Sequence, residues 1–280
     1  NKKEFNQRQV SDSCTSFSII SCIFSECHAS VKGAALYITT NGHLDIQRTI
    51  FNRCSTTNLA GVLSCVVSEV MIRSTCCNDC FSSKSASSAY WANVMHAFEI
   101  YGTKKQGIVE IINCGFALCS RENLKSDVTV EITKNCVVTF KQNNFTENHL
   151  GRDDMILFLT NTHVKGSMIY CNLESCLSSR IVYCSFETVI EKCNINNNNQ
   201  GWYNNQLLCD KGAILLKECI ISNNTHLKLC LNSKTTSSST FFCGNMFTQN
   251  GIGECVPTLD LELIDAESCK RNSRSYSSKI

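Results

Sequence analysis

At 280 residues the chain lies near the size limit of one globular core, and its 26 Lys plus Arg against 24 Asp plus Glu leave a net charge of +2. So balanced a chain lacks the electrostatic footprint for a phosphate backbone or an acidic bilayer, which excludes nucleic acid as a partner class. A single proline, Pro257, and a longest clean apolar run of only Met155-Ile156-Leu157-Phe158-Leu159 exclude collagen-like, Pro-rich and helix-spanned membrane chains.

In chain order, Asn1-Lys2-Lys3 lacks an initiator Met and the apolar stretch from Phe17 to Phe24 does not resemble a cleavable leader. The chain is therefore expected to be processed or excerpted, with any export signal or anchor outside it. From Ile19 onward one pattern returns ten times: an apolar residue, a second five positions later, and Cys or Asn three further on. The sets are Ile19/Phe24/Cys27, Ile46/Phe51/Cys54, Ile72/Cys77/Cys80, Ile111/Phe116/Cys119 and Phe140/Phe145/Asn148. Met168/Leu173/Cys176, Ile190/Ile195/Asn198, Leu216/Ile221/Asn224, Phe242/Phe247/Asn250 and Ile264/Cys269/Asn272 follow. Units spaced by 22 to 39 residues are single turns of a solenoid.

Within a unit the segment before the central residue alternates, as in Leu44-Asp45-Ile46-Gln47 and Val109-Glu110-Ile111, and period two means strand. A turn residue such as Gly42, Ser68 or Gly107 precedes it. Before that comes another short apolar segment, such as Ala35-Leu36-Tyr37-Ile38, Val62-Leu63-Ser64-Cys65 or Leu207-Leu208-Cys209. Each turn thus holds at least two strands and a corner. Like strands stack only in parallel, which predicts an all-β parallel β-helix of about ten rungs, roughly 45 Å long at the usual strand spacing. Residues 1–280 read as one domain, with repeats over about 14–272 and a loop insertion within 81–106; neither Asn1–Ser13 nor Ser273–Ile280 reads as a strong cap. A leucine-rich repeat is the competing solenoid, but it wants Leu two residues before the central position, where five Cys, two Thr, two Asn and one Glu stand.

Twelve of the 21 cysteines obey the repeat: the Cys/Asn column, Cys22, Cys114, Cys171, Cys193 and Cys219 five residues earlier, and Cys77 and Cys269 in the central column. They read as small ladder fillers that remain thiols, with Asn amides bonding one another along the axis.

Phe24-Ser-Glu-Cys27, Phe51-Asn-Arg-Cys54, Phe145-Thr-Glu-Asn148 and Phe247-Thr-Gln-Asn250, together with Gly33-Ala34-Ala35-Leu36 and Gly212-Ala213-Ile214, resemble the FxxN and GGA[ILV] repeats of the polymorphic outer-membrane-protein family. The first Gly of GGA is Lys32 or Lys211 here, and Cys often replaces Asn. The resemblance implies a right-handed parallel β-helix at a cell surface or secreted, with adhesive or antigenic roles and no catalytic residues.

The search for chemistry is mostly negative. Asp153-Asp154 and Asp260/Glu262/Asp265 lack acidic partners on neighbouring rungs, whereas a carbohydrate-active β-helix needs carboxylates converging on adjacent rungs. Glu191-Lys192 stacks on Lys217-Glu218, a structural charge pairing. Cys77 and Cys80 form a CxxC that the repeat already explains, the six histidines share no column, and no cofactor or metal motif appears. Function is expected instead in the variable loops, where Tyr90, Trp91, Trp202 and Tyr203 are candidate contacts for host-cell, matrix or glycan surfaces. Asn144 and Asn223 begin N-glycosylation triplets. A non-enzymatic, adhesin-like or antigenic rod is the leading expectation, and a polysaccharide lyase or hydrolase the alternative.

Overall fold

A computed structural model describes residues 3–243, apart from 12–14, 40–41, 58–59, 83–94, 103–106, 120–126, 134–135, 150–154, 161–164, 201–206, 211–212, 226–235 and positions 179 and 239. Every described element is a strand, and the strands form a parallel β-helix. One turn runs through Leu36–Thr39, His43–Gln47 and Ile50–Asn52, and the next through Leu63–Val67, Glu69–Arg73 and Cys76–Asn78. These stack in parallel as three long sheets of eight, nine and ten strands. The strands of the ten-stranded sheet are mostly three residues long, too short to show a period of two, which is why sequence reading found only the other two strands of each turn.

The files run as the pattern requires. Leu44, Val70 and Val109 stack in register, as do Ile46, Ile72, Ile111 and Phe140. The central file, Phe24, Phe51, Cys77, Phe116, Phe145, Leu173, Ile195 and Ile221, is buried throughout. Its rings stack face to face, Phe5 on Phe24 at 4.9 Å, Phe24 on Phe51 at 5.1 Å and Phe116 on Phe145 at 4.7 Å. A contiguous interior of this kind supplies most of the burial energy, about 25 cal/mol per Å² of apolar surface.

Three expectations need correction. The ten strands of the largest sheet are not the ten units of the pattern: its first strand is Lys3–Phe5 and its last Phe241–Cys243. The ninth unit is shifted by five residues, because Phe242 rather than Phe247 pairs with Ile221, and Ser237 pairs with Leu216. Phe242-Cys-Gly-Asn245 also satisfies the spacing, so two phases competed and strand pairing selected the shorter one. The insertion expected within 81–106 contains a regular strand of the eight-stranded sheet, Met95–Gly102. Ile264, Cys269 and Asn272 lie outside the described residues.

The repeat also extends backwards. Phe5 pairs with Phe24, which places Arg8 at the Cys/Asn position. Its guanidinium donates to the carbonyls of Lys32 (2.7 Å) and Gly33 (2.9 Å) and lies over Tyr37. Gly33 has φ +68°, and a Cβ there would meet the Leu36 carbonyl oxygen at 2.1 Å. The close approach of these two backbones therefore demands glycine.

Each turn bends at two left-handed residues, one immediately before each polar file: Ser21 and Glu26, Arg48 and Arg53, Gln142 and Glu147, through to Glu218 and Asn223. Most are not Gly, Asn or Asp, so each costs about 1–2 kcal/mol of local strain that rung-to-rung hydrogen bonding offsets. Gln142 N–H, for example, donates to the Ile169 carbonyl at 3.0 Å. Gln142→Gly is expected to raise stability by about 0.5–1 kcal/mol, measured by chemical denaturation; a loss would show that the side chain, not the backbone, fixes this corner.

Candidate functional site

The corners hold the densest chemistry in the rod. Asn148 accepts the Cys119 N–H (2.9 Å) and donates to the Phe116 carbonyl (3.0 Å) of the rung before it. Asn198 does the same for Cys176 N–H (3.0 Å) and the Leu173 carbonyl (2.9 Å), and Asn224 for Asn198 N–H (3.0 Å) and the Ile195 carbonyl (2.8 Å). Asn143 serves the other corner, bonding Cys114 N–H and the Ile111 carbonyl. The amides thus bind the preceding rung's backbone, with Asn198 to Asn224 (3.0 Å) the one amide-to-amide bond seen in these files among the described residues. Cysteines donate to equivalent carbonyls: Cys54 to Phe24 (3.6 Å), Cys119 to Cys77 (3.5 Å) and Cys176 to Phe145 (3.7 Å). That shared acceptor is the physical reason Cys and Asn alternate.

These thiols are chemically quiet. Burial pushes Cys80 up to about 11 and Cys114, Cys119 and Cys176 up to about 12, from an ordinary 9.0. A hydrogen bond with Cys54, then burial, raises Cys27, while burial raises Cys54, Cys77 and Cys193. Cys193 also bonds Cys219, whose thiolate that bond favours. Apart from Cys219, reactive thiolate is therefore scarce near neutrality among these cysteines. Alkylation at pH 8 should modify half-exposed Cys22 and spare Cys27, Cys54, Cys80 and Cys119 until denaturant is added; rapid labelling of the file would refute its burial. Because the folded-state values are raised, the thiols' contribution to stability is full below about pH 9 and is lost as pH climbs towards 12.

On the outer surface, charges meet across rungs, Glu26 with Arg53 (3.3 Å), Arg73 with Glu110 (3.9 Å) and Lys165 with Glu187 (3.8 Å), and the His43 imidazole lies 3.6 Å from the Glu69 carboxylate. Glu191 and Lys217 are in register as expected, but Lys192 reaches both Glu191 and Glu218 at 3.8 Å. The Lys192 ammonium is held above its ordinary range by its hydrogen bond to the Tyr170 hydroxyl (3.4 Å), then by Glu218. Exposed pairs of this type contribute a few tenths of a kcal/mol each, about 0.2–1.

Cys77 and Cys80 are buried in separate files, and among the described residues no group of three or more His, Cys, Asp and Glu is placed to hold a metal ion. No helix of the described residues is long and apolar enough to cross a membrane. Asn144 is 8 % exposed and accepts from Thr146 Oγ1 and Asn172 Nδ2, whereas Asn223 is exposed. A glycan on Asn144 would displace that outward ladder. Tyr90, Trp91, Trp202, Tyr203, Asp153, Asp154, Asp260, Glu262 and Asp265 lie outside the described residues.

The topology nevertheless fixes where the connections that contain both aromatic pairs begin and end. From the Ile19 position to the Cys27 position the chain takes eight residues, as it does in every unit through Leu216 to Asn224. Length varies in the remaining arc, mainly where the ten-stranded sheet connects to the eight-stranded one. Glu174 to Arg180 is six residues and Asn78 to Met95 seventeen. Tyr90-Trp91 belongs to that longest connection, and Trp202-Tyr203 to the equivalent one between Asn196 and Leu208. The described ends of both connections therefore lie on the same flank of the rod.

One placement escaped the sequence reading. Glu99 and Glu131 are Cα partners on neighbouring strands of the eight-stranded sheet, in register with Ser64 on one side and Phe158 and Tyr183 on the other. The shared strings Phe98-Glu-Ile-Tyr and Val130-Glu-Ile-Thr were the available signal. Compared with known proteins, the chain matches no family model and no curated relative.

Proposed function

We propose that this chain is a non-enzymatic β-helix, displayed at a cell surface or secreted, that works as an adhesin-like or antigenic rod. The carrying observation is the segregation of length variation to one flank, which joins the fixed arc only through its ends. A rigid file-stacked core lets connections on that flank change without disturbing register, the usual arrangement of a binding scaffold. Its contacts are host-cell, matrix or glycan surface molecules, with Tyr90, Trp91, Trp202 and Tyr203 supplying large apolar area at low entropic cost. Replacing all four by Ala is expected to reduce binding to cells or glycan arrays at least about tenfold with unfolding unchanged. Binding that survives all four changes would move the contact surface elsewhere.

A carbohydrate-active reading has one specific observation in its favour, the Glu99–Glu131 pairing. It puts two acidic residues on neighbouring strands, the residue types that carbohydrate cleavage by a carboxylate pair requires. Product release from pectin, alginate or glycosaminoglycan panels, abolished by Glu99→Gln or Glu131→Gln, would establish it.

A further inference from the structure

The nine-stranded sheet turns an apolar face outward. Of the five large apolar side chains exposed among the described residues, Val10, Ile20, Val31, Ile108 and Val137, three stand outward on this sheet: Ile20, Ile108 and Val137, 39–45 % exposed. Half-buried Met71, Ile112, Ile169, Val189 and Leu215 continue the patch from strand to strand. Scattered surface hydrophobes need no explanation, but a contiguous patch marks a contact. No outward position described on this sheet is buried. The connections at its borders are short: Val67 to Glu69 is two residues and Thr160 to Gly166 six where the chain arrives, and Gln47 to Ile50, Lys141 to Asn144 and Lys217 to Ile220 are each three where it leaves. The connections that vary most join the other two sheets, so their described ends lie on the far side of the rod.

The face has the size and the symmetry of a self-contact. Nine strands about 4.8 Å apart and about 17 Å long make a face of roughly 650–700 Å², and stable pairs bury about 600–1,000 Å² on each partner. The middle strand is Cys136–Lys141. A two-fold axis along that strand, in the plane of contact, turns a second copy over so that the two rods run antiparallel. Glu69–Arg73 then faces Thr188–Glu191 of the other copy, and Gly107–Ile112 faces Gly166–Ile169. The strand register carries the pairing down to residues: Arg73 meets Glu191, Met71 meets Val189, Ile112 meets Ile169 and Glu110 meets Ser167, while Val137 and Thr139 meet their own counterparts. Opposite charge falls on opposite charge and apolar on apolar, and the symmetry makes each unlike pairing twice. Two like-charge meetings remain, Lys141 with its own counterpart and Glu69 with Glu187. Both fall at strand ends, where Lys141, Glu69 and Glu187 are exposed and Lys165 stands 3.8 Å from Glu187.

We propose that two copies of this chain associate face to face through the nine-stranded sheet, as antiparallel rods related by a two-fold axis along Cys136–Lys141. The occupant of the face is a second copy, and the inference is independent of the proposed function. The flank where the variable connections begin and end then points away from the contact in both copies, so whatever that flank binds is offered twice, and binding to a repetitive surface gains avidity.

Sedimentation equilibrium of the full 280-residue chain at micromolar concentration is the direct test, and the expected species has twice the chain mass. Val137→Glu brings two carboxylates together at the axis and should raise the dissociation constant about a hundredfold or more, with the circular dichroism spectrum unchanged. Arg73→Glu and Glu191→Arg should each weaken the pair about tenfold, and Arg73→Glu combined with Glu191→Arg should recover most of that loss, because the swap restores opposite charge across the contact. A monomeric wild type, or a dimer that Val137→Glu leaves intact, would overturn the contact. A double variant no tighter than either single one would overturn the antiparallel register.

Discussion

Ile111→Asp is expected to uncouple the rod at its middle. Ile111 is buried between Ile72 and Phe140 in a file of the nine-stranded sheet, and no cation or donor is available in an apolar file to receive a carboxylate. The acid would be driven to its neutral form, so the loss comprises desolvation, the missing methyl groups and the cavity beside them. Together these cost about 5 kcal/mol or more, a large fraction of the roughly 5–15 kcal/mol that stabilises a typical domain. Because each rung touches only its neighbours, the damage should split one cooperative transition into two. The adjacent Ile112 faces outward and is half-buried, so Ile112→Asp should cost about 1 kcal/mol or less. Thermal and denaturant unfolding followed by circular dichroism reads both, and equal effects at 111 and 112 would contradict the register. Lower pH should lessen the Ile111→Asp defect, because protonation removes the charge before folding and not after it.

Asn198→Ala is expected to cost about 2–4 kcal/mol, more than its few atoms suggest. Its amide accepts from Cys176 N–H, donates to the Leu173 carbonyl and meets Asn224, all in the interior. Truncation leaves those backbone groups dry and without this partner, and no side chain of similar reach replaces it. Asn198→Cys should recover about half of the loss, because a thiol in this file donates to the preceding rung's central carbonyl, as Cys176 does to Phe145. Chemical denaturation of the three proteins provides the comparison. If Cys proved no better than Ala, carbonyl bonding by thiols would not explain why the two residue types share a column.

Much of this architecture was legible because stacking converts sequence period directly into space. A residue that returns at one phase must meet its counterpart one strand away, so Ile46, Ile72 and Ile111, or Phe24 and Phe51, declared their files without coordinates. The phase failed where the sequence offered two solutions, Phe242-Cys-Gly-Asn245 and Phe247-Thr-Gln-Asn250, because local spacing alone carries no information about which strand a segment pairs with. It also failed at Phe5, where Arg8 occupies the Cys/Asn position and hides the unit. The bonding of Asn to the preceding backbone, rather than mainly to neighbouring Asn, depends on how far the corner turns, which left-handed residues as unlike as Gln142, Tyr170 and Lys192 set.

The candidate surfaces divide in the same way. The sequence by itself determined the parallel solenoid, the buried files and the near-neutral charge, because these depend on residue type at a fixed period. Only the tertiary structure decided that the variable connections begin and end on one flank and that Glu99 and Glu131 occupy paired positions on neighbouring strands. Those facts join residues far apart in the chain, and strand pairing, not local propensity, brings them together.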